Sequence, residues 1–334
     1  MRNRAISRRG ALAGMTALIA CPAYLRAQSN EEIEVSNYGT SPGGFPYAVA
    51  LGKGLFREFG VNIAGVRGSP GSAPTIRNMI AGGLTFADAG ITGVISANRS
   101  GANIRVIGNS TDTFAEVTWV TMPDSQVRSI TDLRGRRLGF TTARSATNML
   151  AVVLVDAARL QQSEVQLIAA GGFPQALTVL EAGGIDVAPM VEPNFSVNGT
   201  RYRVLAPSNE LFPAMSNTCC LTTAAKARSS GDFLRGVLAA RRKAVDALYE
   251  DPAGSADAVA TAYRIERPLA ERVIRNMIAG SVGEVGYWSR GRVRVPTIDR
   301  MMQGARLVGI IDGAYDVREI VDQSFLPADQ REAG

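Results

Sequence analysis

The chain has 334 residues, 36 of them basic and 30 acidic, for a formal charge of +6. Five of the arginines (Arg2, Arg4, Arg8, Arg9, Arg26) lie in the first 27 residues, where there is no acid; without them 31 basic residues face 30 acidic ones and no basic stripe with interleaved aromatics survives, which argues against a nucleic-acid partner. There is no histidine, which removes imidazole acid–base catalysis, the Ser-His-Asp and Cys-His nucleophile systems and the commonest zinc ligand.

The leader joins a charged start, Ser7-Arg8-Arg9-Gly10-Ala11-Leu12, to an apolar stretch ending at Ile19-Ala20-Cys21. That order predicts an export signal over residues 1–27, too short in its apolar part to span a bilayer permanently. The paired arginines resemble a twin-arginine signal, and an ordinary secretory signal is the alternative. Cleavage after Ala27 would release the chain, whereas a lipobox reading would leave an acylated Cys21 as its membrane anchor.

From Glu31 the pattern alternates in type. Ile33 to Asn37 reads as a strand, and Gly39-Thr40-Ser41-Pro42-Gly43-Gly44 as an open polar loop. Pro46 to Phe59 reads as an amphipathic helix stopped by Gly60. Strands are expected at 61–66, 84–87, 104–108, 119–120, 138–140, 165–168 and 185–188. Helices are expected at 75–81, 91–98, 130–133, 146–160 and 175–181. Such alternation implies parallel pairing with right-handed crossovers. Two segments echo each other, each ending a helix on paired glycines, Gly82-Gly83 and Gly183-Gly184, before a strand. Cys219 and Cys220 read as small apolar residues in a buried strand, since adjacent cysteines bridge only with strain. Beyond them the chain is helical at 233–249, 253–263, 268–278 and 296–309, with Pro252 ending one helix and Pro268 starting another.

The expectation is an α/β chain of two lobes, each a mostly parallel sheet flanked by helices: residues 31–118 with 218–334, and residues 119–217. The chain would pass between them twice, near 118–120 and 218–221, and two crossings make a hinge. No Gly-x-Ser-x-Gly elbow and no phosphate loop occurs, so binding without turnover is expected, with no cofactor and no metal. Ligands of such sheets lie beyond the C-terminal strand ends. Those ends offer Thr40, Ser41 and Pro42, then Ser69, then Asp88 and Ala89. The second lobe adds Thr141, Arg144, Ser145 and Ala146, then Phe173, then Glu192. Hydroxyls and helix-start N–H groups suit an anion, and Arg144 could grip one bidentately. Ser145 could instead be only a helix cap, and Glu192 would favour an amine or a ring N–H, so ligand charge stays open. Asp88 with Glu192 is the one cross-lobe carboxylate pair that could support an exported hydrolase.

Several runs also resemble a known family. They are Tyr47-Ala-Val-Ala-Leu-Gly-Lys-Gly-Leu-Phe56, Ala81-Gly-Gly-Leu-Thr-Phe-Ala-Asp88, Ile130-Thr-Asp-Leu-Arg-Gly-Arg-Arg-Leu-Gly139, Ala182-Gly-Gly-Ile-Asp-Val187 and Ile320-Val-Asp-Gln-Ser-Phe-Leu-Pro327. In this order they resemble the periplasmic solute-binding proteins of ABC importers, in the group of sulfonate, taurine, nitrate and thiamine-precursor binders. The resemblance implies a type II binding fold that closes on a small molecule and presents it to a membrane permease with its ATPase. It also implies that 320–327 form the last helix. A receptor feeding a membrane signalling protein is the other role such a chain could fill. The fold also serves a thiamine-pyrimidine synthase that relies on a histidine this chain lacks.

Overall fold

The computed structural model describes residues 31–313 and 315–331; the expected leader, with Cys21 and Ala27, lies outside them. Ten strands, β1 (Glu31–Ser36), β2 (Ile63–Ser69), β3 (Ala87–Gly90), β4 (Ile104–Thr111), β5 (Val117–Thr121), β6 (Arg137–Phe140), β7 (Gln166–Ala169), β8 (Ala188–Val191), β9 (Arg203–Pro207) and β10 (Thr218–Thr223), form mixed sheets flanked by helices. One sheet has the order β2-β1-β3-β10-β4, a second β8-β5-β9, and β6 pairs with β7. β1 is parallel to β2 and β3, and β6 to β7. β10 and β5 run against both of their neighbours. The sheets are therefore less uniformly parallel than expected. Each reversed strand is the first one entered after the chain changes sheet, through residues 112–116 on the way out and 208–217 on the way back. The segments expected as crossings, 118–120 and 218–221, are the reversed strands themselves.

Local sequence accounts for several boundaries. The expected helix 46–59 is two helices, Phe45–Gly52 and Leu55–Glu58, because Gly54 sits between them at φ 71° in the left-handed region. The strand expected at 84–87 begins three residues later. Its first residue is spent closing the preceding helix, with the Leu84 N–H bonded to the Met79 carbonyl. The glycine doublets are not in the same register: the left-handed residue is Gly83, second of its pair, and Gly183, first of its pair. Residues 185–187, expected as a strand, lie along β6 through the Val187–Leu138 bridge before β8 pairs with β5. Residues 130–133 form a short 3-10 turn. The ending 320–327 likewise forms 3-10 turns in place of the last helix.

The helices Gly231–Glu250, Pro252–Tyr263, Arg267–Ala279 and Val295–Leu307 lie within two residues of their expected limits. The first two pack on Phe45–Gly52, while Val295–Leu307 packs on Ala146–Ala157. The helical tail therefore touches elements on both sides of the crossings. Cys219 and Cys220 are buried, unbridged and in β10. A second, smaller core gathers Val120, Leu177, Leu180, Ile185 and Met190.

One polar chain runs through the main core. Arg241, 1 % exposed, donates to the carbonyls of Ser289 (2.6 Å) and Ser110 (2.8 Å) and to the Ser110 hydroxyl (2.8 Å). That hydroxyl donates to the carboxylate of Asp88, which also accepts from the Tyr47 hydroxyl at 2.6 Å. The guanidinium lies 5.6 Å from the centre of the Tyr47 ring. Removing the cation would strand a buried carboxylate, a change that costs roughly 3–5 kcal/mol. Arg241→Met is therefore expected to lower the unfolding free energy by about that amount, measured by urea denaturation followed by circular dichroism; a loss below roughly 1 kcal/mol would mean the network is not an electrostatic support.

Candidate functional site

The loops at the parallel strand ends are built alike on the two sides of the crossings. After β1, the Asn37 N–H bonds to the Ser69 carbonyl (2.8 Å), and Asn37 Oδ1 accepts from the Gly71 N–H (3.0 Å), which ties the β1 and β2 loops together. After β6, the Thr141 carbonyl accepts from the Gly171 N–H (2.9 Å), tying the β6 and β7 loops. The first loop is also anchored from the helical tail. The Tyr263 hydroxyl donates to the Ser41 carbonyl, and Trp288 Nε1 to the Pro42 carbonyl, both at 2.9 Å. Phe45 packs edge-on against Tyr263 with ring centres 4.7 Å apart.

The predicted residues are placed unequally on this frame. Thr40 is exposed, Ser41 half-buried and Pro42 buried beneath them. Ser41 Oγ accepts from the Gly43 N–H at 3.5 Å. Ser69 is the last residue of β2 rather than a loop residue; it is buried and turned inward, donating to Glu34. Asp88 and Ala89 lie inside β3 and are buried, so they do not follow a strand end as expected; the Asp88 carboxylate is taken by Tyr47 and Ser110. The late start of β3 is the reason for that shift.

On the other side, Thr141 Oγ1 lies 2.6 Å from Thr147 Oγ1 and donates to Ser145 Oγ at 3.1 Å. Ser145 caps the helix Ala146–Ala157 by accepting the Asn148 N–H at 3.1 Å. Arg144 is exposed with φ 59°, a backbone conformation unusual for a side-chain-bearing residue. Ala146 and Phe173 are half-buried at two helix starts. Glu192 is 2 % exposed and accepts from the Ser196 N–H (3.0 Å), the Ser196 hydroxyl (2.9 Å) and Asn276 Nδ2 (2.7 Å). Asp88 and Glu192 are thus each enclosed by their own hydrogen-bond partners.

Between these loops the two crossings are stitched together by polar groups that sequence reasoning missed. The Asn217 N–H bonds to the Thr111 carbonyl (2.9 Å) and the Met215 N–H to the Asp112 carbonyl (3.0 Å). The Thr111 and Thr218 hydroxyls meet at 2.9 Å, and Ser216 Oγ donates to Asn109 Oδ1 at 3.1 Å. Asp112 accepts from Asn109 and Arg294, each at 2.8 Å. Glu116, 6 % exposed, accepts from Asn217 Nδ2 at 3.1 Å on Oε1, and the neighbouring Tyr287 hydroxyl also bonds to its carboxyl. Its backbone carbonyl holds the Glu192 N–H at 2.9 Å. Tyr287 lies against Glu116, and its hydroxyl is close to Ser41 and Gly43. One sequence signal was available: Glu116 is a lone acid in the apolar run Phe114-Ala-Glu-Val-Thr-Trp119, where a charge is costly unless it has a task.

Burial pushes the Glu116 carboxyl up to about 8, against smaller opposing effects from its own backbone, Asn217 and Tyr287. Burial likewise raises Asp112 to about 6, opposed first by Arg294. Among the described residues no three His, Cys, Asp or Glu side chains are grouped to hold a metal, and no helix is long and apolar enough to cross a membrane. A separate surface groove of about 360 Å³, which includes Phe59, Arg242, Lys243 and Phe325, contains none of these residues. Its Arg242 and Lys243 are paired with Asp329 and Glu58.

The sequence profile described as NMT1/THI5 like matches residues 41–255. No curated protein matches the sequence. Among solved structures, the chain is similar to the periplasmic aliphatic sulphonate binding protein SsuA of Escherichia coli, with 17% identity, a TM-score of 0.73, and coverage of 88% of this chain and 92% of that one. It is similar to the alkanesulfonate-binding protein SsuA of Xanthomonas axonopodis pv. citri bound to MOPS, with 17% identity, a TM-score of 0.66, and coverage of 87% and 97%. The periplasmic nitrate-binding protein NrtA of Synechocystis PCC 6803 gives 10% identity, a TM-score of 0.67, and coverage of 90% of each chain. At these identities the likeness is one of fold, that of the periplasmic binding proteins.

A raised carboxyl stabilises the fold fully below its unfolded value, and that contribution is lost as pH rises towards the folded value. For Glu116 the window runs from about 4.5 to about 8. Glu116→Gln should therefore melt close to wild type near pH 5 and several degrees higher at pH 8.5, read by scanning calorimetry across that range. A constant gap at all pH values would contradict the raised carboxyl.

Proposed function

This chain belongs to the NMT1/THI5-like family, and on that premise we propose that it is an extracytoplasmic solute-binding protein that captures a small molecule between two lobes and delivers it to an ABC-type permease and its ATPase. The lobes are residues 31–111 with 218–331, and residues 117–207, joined by the links 112–116 and 208–217. The observation that carries this reading is the pair of stitched crossings. Hydrogen bonds between residues 109–116 and 215–218 join the two links to each other, so the links can bend as one unit while each sheet keeps its own ladder. In this reading the tied loops after β1 and β6 would form the two polar rims, with Thr40 and Ser41 on one and Thr141, Arg144 and Ser145 on the other. Phe173 supplies an apolar wall. Nothing in this arrangement requires chemistry on the solute: Asp88 and Glu192, the pair that a carboxylate hydrolase would need, are both engaged with neighbouring side chains.

Binding to the native state alone raises the melting point, by the equivalent of about 2.7 kcal/mol when ligand is at a hundred times Kd. Protein stripped of copurified solute by unfolding and refolding should shift with at least one member of a panel of sulfonates, carboxylates, nitrate, pyrimidines and aromatic acids. Small-angle scattering should then show a smaller radius of gyration, and the solute should be recovered unchanged. Absence of any shift across the panel would count against the receptor, and a chemically altered solute would turn the reading to an enzyme.

A further inference from the structure

We propose that Glu192 and Asn276 form a latch between the two lobes, which biases them towards closure before any solute is bound and so tunes affinity without touching the solute. The inference rests on the two-lobed reading above. Glu192 follows β8 on the second lobe, and its carboxylate accepts the Ser196 N–H and hydroxyl from its own side. Asn276 comes from the first lobe. Its helix, Arg267–Ala279, packs on Pro252–Tyr263, which in turn packs on Phe45–Gly52; it also touches the turn Pro42–Gly44 next to the β1 loop. From that position it meets the short helix Asn194–Asn198 of the second lobe. Asn276 Nδ2 donates to Glu192 Oε1 at 2.7 Å and to Ser196 Oγ at 3.0 Å, and Arg272 donates to the Ser196 carbonyl at 3.3 Å.

The contact is built to part. When Asn276 withdraws, Glu192 keeps both bonds from Ser196, so opening strands no buried charge. Asn276 and Ser196 are half-buried and Arg272 is exposed, so water can replace the bonds they lose. A second contact between the tail and that lobe, Val295–Leu307 on Ala146–Ala157, is held differently. Its helix is tied to the returning link, where the Thr297 carbonyl accepts the Ser216 N–H (3.1 Å) and Arg300 donates to the Ala214 carbonyl (3.0 Å). That helix belongs to the pivot, whereas Asn276 reaches the second lobe away from both links. One hydrogen bond of this kind shifts a two-state balance about fivefold, enough to favour closure and too little to lock it.

The test is small-angle scattering of the stripped protein without solute. Asn276→Asp keeps the size of the side chain but sets a second carboxylate against Glu192, and should enlarge the radius of gyration. Adding Glu192→Gln restores one donor and one acceptor with their roles exchanged, and should return the radius to the wild-type value. Asn276→Ala removes the donor without adding charge and should enlarge the radius less; it carries the test if Asn276→Asp does not fold. A single cooperative melting transition in each variant separates opening from unfolding. Folded variants with the wild-type radius would overturn the latch, as would an enlargement that Glu192→Gln leaves in place. In either case, contraction of the wild type with a member of the solute panel would leave the receptor standing. A radius that neither the substitutions nor any solute of the panel changes would remove both.

Discussion

The stitching of the two crossings is the constraint on which the rest of the molecule depends. A chain that leaves one sheet and later returns must place two irregular segments side by side in the interior. Their backbone groups cannot all find ladder partners. Here they find each other: Asn217 with Thr111, Met215 with Asp112, and the side chains of Ser216, Asn217 and Thr218 with Asn109, Glu116 and Thr111. That solution makes the seam polar and buried together. It also fixes which way each sheet begins, since β5 and β10 emerge from it reversed relative to their neighbours.

The buried charge of the interior follows from the same geometry. Arg241 is reached from Ser110, the residue just before the outgoing link, and through it supports Asp88 and Tyr47 beneath the sheet. Arg294 closes on Asp112 from the tail. These pairs serve the scaffold, with Arg241 Nε alone of its nitrogens left without a hydrogen-bond partner. Glu116 differs in being held by neutral partners, Asn217 and Tyr287. Burial then raises its affinity for a proton, so that near neutral pH the group is chiefly uncharged.

Much of the fold was legible along the chain because helices and parallel strands announce themselves by periodicity and by their breakers. Pro252 and Pro268 bounded the tail helices closely. Boundaries failed where hydrogen bonding decided them. Leu84 turned back onto its helix and delayed β3, which moved Asp88 from an expected loop into a buried strand. The site was legible in outline only. Ser145 is the cap its spacing allowed, but the loops after β1 and β6 are tied to loops roughly thirty residues away. No local pattern encodes such pairings.

By itself the sequence determined the class of element at most positions, the α/β alternation, the absence of imidazole chemistry and the run of motifs that carries the family resemblance. These depend on residue type and short-range spacing, which a linear reading contains. Only the tertiary structure decided that Asn217 meets Glu116 at a sequence separation of 101, that Asp88 is sealed by Tyr47 and Ser110, and that a lone acid is enclosed at the seam. Those outcomes depend on which distant groups share a buried volume. Desolvation and hydrogen-bond satisfaction there are properties of the packed chain and of no segment alone.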